Sequence, residues 1–157
     1  PLNDGNAQRA EQLCNKTNQF NTTTKRFDQK DLFLLLEKGH DVAVIGLEDR
    51  FSSFENIGVI ILNGDGTNLN IELFLLSCRV LGRGMETSIP IWASGRAKDL
   101  DYSTIIGKIV DSDRNTPARD IYQRSGFTEF GPNLWKKEAG CCTQPEWIEL
   151  IDNYKRN

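Results

Sequence analysis

The sequence predicts an α/β (α+β) fold: a mixed, mostly antiparallel central sheet with helices on both faces. Three observations predict it. Branched apolar runs at 41–48, 56–62 and 68–76 follow one another, the last two separated by Gly64-Asp65-Gly66, and read as three successive antiparallel strands. Helical spacing flanks them on both sides. A further strand at 103–110 and a last one at 133–137 come after helical stretches, so strands and helices share one layered domain.

The elements follow in order. Ala7, Ala10, Leu13 and Cys14 recur at helical spacing and give a short first helix, followed by a loop in Asn15-Lys16-Thr17-Asn18-Gln19-Phe20-Asn21-Thr22-Thr23-Thr24. Asp28 is a fair N-cap for a second helix through about Lys38, with Leu32, Leu35 and Leu36 inward and Gly39 as its stop. After the three strands a third helix starts near Gly84 and runs to about Ala97, with Pro90 placed to kink it. Asn115 or Thr116 caps a fourth, with Pro117 in its first turn and Gly126 at its end. From Pro145 onward Trp147, Ile148, Leu150, Ile151 and Tyr154 form an amphipathic stretch.

Composition bounds the function. With 157 residues, 38% hydrophobic and 26% charged, the chain reads as one domain, 1–157, with an ordinary core. A net charge of −3 with scattered basic residues argues against nucleic acid. The longest apolar runs fall well short of the roughly 20 residues that a bilayer span requires, so no membrane partner is expected. The chain opens at Pro1 without a signal-peptide pattern and reads as a domain excised from a longer protein. Cys14, Cys78, Cys141 and Cys142 lack a disulfide-framework pattern, and with one histidine no metal is expected; the thiols read as reduced and cytoplasmic.

Chemistry concentrates where an apolar strand runs into Ser77-Cys78-Arg79-Val80-Leu81-Gly82-Arg83-Gly84-Met85. Gly82 and Gly84 let the backbone turn tightly, so that free N–H groups at the start of the next helix can face an anion such as pyrophosphate. About thirty residues on stands Asn115-Thr116-Pro117-Ala118-Arg119-Asp120-Ile121-Tyr122-Gln123-Arg124-Ser125-Gly126-Phe127. The two motifs together resemble those of the GNAT acetyltransferase superfamily, Arg/Gln-x-x-Gly-x-Gly/Ala and Asn-x-x-Ala-x-x-x-Tyr-x-x-x-Gly-Phe.

The resemblance implies a GNAT-like sheet and acyl transfer from acetyl-CoA, another acyl-CoA or a phosphopantetheine thioester. Backbone groups from Leu81 through Gly82, Arg83 and Gly84 to Met85 would hold pyrophosphate, with Arg79 beside them. The strand end, including Leu76 and Cys78, would line the pantetheine arm, and Asn115 would touch it. Asn115 also reads as a helix cap. Tyr122 matches the position whose phenol protonates the departing thiolate, and equally reads as a core tyrosine with its hydroxyl at a surface. Glu72, on the strand before the loop, is the leading general base; Glu86 is a second option already explained by the helix dipole, and His40 reads as a surface residue near a helix end. Cys78, next to Arg79 and a run of free N–H groups, reads either as a nucleophile or as an inert buried thiol.

Asn15-Lys16-Thr17-Asn18-Gln19-Phe20-Asn21 and residues 77–84 further resemble the C-terminal domain of FkbH-like proteins, in which a phosphatase domain of haloacid-dehalogenase subfamily IIIC precedes a GNAT-like domain. That resemblance covers about residues 6–127. It implies a glyceryl-like acyl group passed through an enzyme thioester to an acyl carrier protein, with the phosphatase domain of the same polypeptide as partner. A small-molecule acceptor is the other partner expected of such a transferase. Asp111-Ser112-Asp113 belongs to the helix approach and not to a phosphatase motif. In this context Cys78 becomes an acyl carrier, and residues 15–21 become either a wall of the acceptor site or a self-closed loop. A non-catalytic module that docks a carrier protein or the phosphatase domain is the competing reading.

Overall fold

The computed structural model describes residues 1–140 and 143–154. Cys141 and Cys142 lie outside them. The order of elements is α1 (Asp4–Lys16), α2 (Gln29–Glu37), β1 (Asp41–Asp49), β2 (Ser52–Asp65), β3 (Asn68–Leu76), α3 (Met85–Asp99), β4 (Thr104–Lys108), α4 (Ile121–Arg124), β5 (Thr128–Gly131) and β6 (Leu134–Glu138). The strands form one sheet in the order β1-β2-β3-β4-β6-β5. Every pair is antiparallel except β3 and β4. The mixed, mostly antiparallel sheet is therefore the one the sequence predicts.

Local chemistry explains the boundaries. Helix α1 begins three residues earlier than expected because the Asn3 and Asn6 side chains satisfy each other's backbone in a capping box. Asp28 and Asp31 do the same for α2. Strand β2 runs well before 56 because its exposed first half pairs with β1 across a hairpin whose turn Asp49 closes, accepting from the Phe51 and Ser52 N–H groups. The fourth helix is the largest departure: residues 116–118 form a 3-10 turn and α4 is a single turn. The stretch after Pro145 is not a helix either. It runs as an irregular strap, with Trp92 donating to Asp152 (2.9 Å) and the Tyr154 hydroxyl donating to the Val42 carbonyl.

Two apolar layers sandwich the sheet. Leu13, Cys14, Leu32, Val42, Val59, Ile61, Leu73 and Leu75 pack under α1 and α2. Ile60, Leu62, Leu69, Ile71, Phe74, Leu76, Met85, Ile89 and Tyr122 pack under α3 and α4. A regular strand alternates faces at every residue, yet Ile71 and Phe74 share one. A bulge reconciles them: Leu62 faces Ile71, Ile61 faces Leu73, and Glu72 has no partner across the ladder. Each fully buried Leu or Ile contributes about 1.5–3 kcal/mol.

Candidate functional site

The site grows from the parting of β3 and β4. They pair only from Asn68–Thr104 to Ile71–Gly107, after which β3 runs on to Leu76 while β4 ends at Lys108. That leaves backbone N–H and C=O groups of β3 without a strand neighbour. Residues 20–23 fill the gap. The Thr22 N–H donates to the Phe74 carbonyl (3.0 Å), and the Leu76 N–H donates to the Phe20 carbonyl (3.1 Å). Thr22 Oγ1 accepts from the Phe74 N–H (3.0 Å), and Thr23 Oγ1 donates to the Glu72 carbonyl (2.8 Å). On the other side the Val110 N–H donates to the Thr22 carbonyl (2.8 Å), which explains why β4 stops short of the expected 110. Phe20, Asn21, Thr22 and Thr23 are all buried.

Asn115 locks this insert in place. Its Nδ2 donates to the carbonyls of Asn21 (2.9 Å) and Val110 (2.8 Å), and its Oδ1 accepts from the Ser112 N–H (2.9 Å). The side chain is fully buried and caps no helix. The expected cap is corrected, since the side chain makes no cap hydrogen bond, and both Nδ2 bonds go to the chain's own backbone. At the strand end expected to line a pantetheine arm, the Leu76 N–H is taken by Phe20. Residues 15–21 divide: Asn18 accepts from Arg26 at the surface, while Phe20 and Asn21 enter the fold.

The glycine loop has the expected backbone. Gly82 and Gly84 take φ of +82° and +90°, values an L side chain adopts only under strain, and Gly84 leads into α3. One of its N–H groups is taken from within. Glu86, 3% exposed, turns back so that its Oε1 accepts from the Gly82 N–H (3.0 Å) and from Arg124 Nη2 (3.3 Å). Its Oε2 is buried with no hydrogen-bond partner. The loop's arginines point elsewhere: Arg79 pairs with Glu55, and Arg83 with Asp49 (2.8 Å), both on the β1–β2 hairpin strands. Met85 enters the core. The Arg79, Arg83 and Met85 side chains are thus committed to structure. Trp147 and Ile148 of the strap lie against Gly84, where an added Cβ would stand 3.2 Å from Ile148 Cδ1.

Tyr122 is sealed rather than poised. Its ring lies flat over Gly107, where a Cβ would come within 2.4 Å, and packs against Phe127 with centroids 5.2 Å apart. The hydroxyl is buried without a hydrogen bond. Burial pushes its pKa well above the ordinary phenol range; the nearby Thr22 hydroxyl opposes this weakly and falls short of hydrogen-bond geometry. The Tyr122 ring is part of the core, and its hydroxyl, expected at a surface on that reading, is buried instead. A general acid must reach the reacting group, and this hydroxyl is fully buried.

Glu72 sits at the bulge among partners: Asn63 Nδ2 donates to it (3.1 Å), and Lys25 and His40 Nε2 each lie 3.5 Å away. It is held by three groups and is not a lone base. His40, expected at the surface, is largely buried against it, and its Nδ1 has no partner. Sequence spacing alone gave no sign of this pair, because a bulge decides which way Glu72 points. Cys78, by contrast, is exposed and free at the end of β3, in the first position of a 3-10 turn. The other described cysteine, Cys14, is buried, and burial pushes its thiol up to about 12.

A pocket of about 500 Å³ opens between the loop and the 116–124 segment, lined by Leu81, Gly82, Glu86, Pro117, Arg119 and Arg124. Among the described residues no cluster of His, Cys, Asp and Glu could hold a metal ion, and no helix is long and apolar enough to cross a membrane.

No family model and no curated protein matches the sequence. Solved structures do match the fold. Spermidine N-acetyltransferase from Vibrio cholerae, in complex with CoA and spermine, superposes with a TM-score of 0.64 at 15% identity, covering 88% of this chain and 92% of that one. An acetyltransferase of the GNAT family from Staphylococcus aureus gives 0.63 at 10% identity, covering 88% and 96%. A GNAT-superfamily phosphinothricin acetyltransferase from Sinorhizobium meliloti, in complex with AcCoA, gives 0.52 at 13% identity, covering 80% and 78%. Such identities carry architecture alone. The superpositions cover most of this chain and of each neighbour: this chain has the GNAT fold.

Proposed function

We propose that this chain is an acyl-handling domain of the FkbH-like type, which carries an acyl group as a thioester on Cys78 and exchanges it with a pantetheine thiol. The observation that carries the reading is the free, exposed thiol of Cys78 at the end of β3, at the head of the glycine loop. Tyr122 and Cys14, by contrast, are sealed in the core. In the first step the Cys78 thiolate attacks the acyl carbonyl, an S–C bond forms and the donor's leaving group departs with its electron pair. In the second the pantetheine sulfur attacks the same carbonyl carbon and the Cys78 thiolate leaves, keeping the bonding pair. The acyl group is acetyl or glyceryl-like. The partners are an acyl carrier protein and a phosphatase domain on the same polypeptide.

The test is intact-mass measurement after incubation with an acyl N-acetylcysteamine thioester. A single acyl adduct on the native protein, absent from Cys78→Ala, is expected. No adduct, or an adduct that persists in Cys78→Ala, overturns the reading.

The self-filled gap between β3 and β4 favours a second reading, a GNAT-like module that only docks a carrier protein or the phosphatase domain. It requires Cys78→Ala to leave the activity of the phosphatase-linked protein intact.

A further inference from the structure

The GNAT fold implies a coenzyme A site, and the residues present do not fit it. Two independent features fill that site from within. Residues 20–23 take up the β3 hydrogen-bonding groups at Glu72, Phe74 and Leu76, along which a pantetheine arm would run. They are buried and fixed from the far side by Asn115, so they form part of the core and not a removable cover. In the glycine loop, where a pyrophosphate would accept N–H bonds, the Glu86 carboxylate accepts from Gly82 and Arg124. A pyrophosphate entering there would meet a buried carboxylate whose second oxygen has no donor to offset it.

We infer that Glu86 is an internal anion that fills the loop and excludes the pyrophosphate of coenzyme A. The domain is thereby restricted to thiols and thioesters whose pantetheine is not joined to a nucleotide. This rests on the acyl-handling reading for its consequence and not for its geometry. A pantetheine borne on a protein carries one phosphodiester and ends far from any adenosine; it can bring its thiol to exposed Cys78 without entering either filled space. Glu86 is a specificity residue in this account: it touches the place a competing donor would occupy and takes no part in bond making.

The experiment is calorimetric titration with coenzyme A and, separately, with inorganic pyrophosphate, on the native chain, Glu86→Gln and Glu86→Ala. Gln keeps the hydrogen bond and removes the charge; Ala removes both. The native chain is expected to bind neither probe at millimolar concentration. Glu86→Ala is expected to gain pyrophosphate binding by at least about tenfold, because a freed N–H and Arg124 then face the anion, with a smaller gain in Glu86→Gln. Micromolar binding of coenzyme A by the native chain overturns the inference. So does a variant, shown folded by circular dichroism, that binds pyrophosphate no better than the native chain; if Glu86→Ala fails to fold, Glu86→Gln decides. Acylation of Cys78 by the phosphate-free N-acetylcysteamine thioester is measured on the same samples. Its loss with Glu86 behaviour as expected faults the acyl-handling reading alone.

Discussion

Replacing Tyr122 by Phe separates a core residue from an acid more cleanly than any other change in this fold. The native hydroxyl is buried and unpaired, so folding strips it of water and returns nothing. Leaving such a group unsatisfied costs about 1–3 kcal/mol. The phenylalanine ring keeps the contacts with Gly107 and Phe127, so no cavity opens. Tyr122→Phe is therefore expected to stabilise the domain by about 1 kcal/mol, or about 2–4 °C in Tm for a chain of this size.

The pH dependence follows from the same burial. Because the folded phenol holds its proton more tightly than the unfolded one, its contribution is intact below the unfolded pKa of about 10 and is lost as pH rises above it. Tyr154, also raised by burial, has the same sign. Denaturation scans at pH 7 and pH 11 should show a steep alkaline loss in the native chain and a shallower one in Tyr122→Phe. Destabilisation by more than about 1 kcal/mol, or loss of Cys78 acylation in the variant, would refute the reasoning, since either means the hydroxyl has a partner.

Asn115→Ala removes the three hydrogen bonds of a buried side chain and should cost about 2–4 kcal/mol, with faster amide exchange at Thr22 and Leu76 as the local sign in hydrogen-exchange measurements. Asp49 is held below the usual carboxylate pKa by the Phe51 N–H first, then by Ser52 and Arg83. Its small contribution is present above about pH 4 and fades as pH falls through the depressed value, which a carboxyl titration by NMR would show and Asp49→Asn would abolish. Iodoacetamide should label Cys78 in the folded protein and Cys14 only after denaturation; equal labelling of the two would contradict their burial.

The sheet was legible in the sequence because β1, β2 and β3 announce themselves with branched apolar runs and a glycine turn. The loop was legible for a similar reason, since only glycine takes φ near +90° without strain. Strand β5 was not, being four residues with three exposed and no apolar alternation. The site misled where long-range contacts overrule local chemistry. Asn115 has the look of a cap, but Asn21, 94 residues earlier, claims its amide. Residues 15–24 look like a loop, and no pattern within them tells that 20–23 lie inside a sheet. Glu86 looks like a dipole-compensating acid, and it does sit at the helix start; that it turns back onto Gly82 depends on Arg124 closing over it.

The insert between β3 and β4 also fixes the order in which the chain can be completed. Its contacts join residues 52 and 94 positions apart. A loop of that length must be closed before the contact gives anything back, so these contacts favour late formation. During synthesis residues 20–23 emerge first and wait through β1, β2 and β3, then through α3 and β4, until Asn115 arrives to fasten them. Until then the parted ends of β3 and β4, beyond Ile71 and Gly107, stand open in the middle of the sheet. The domain is most exposed to mispairing at its centre, and residues 110–115 bring that exposure to an end.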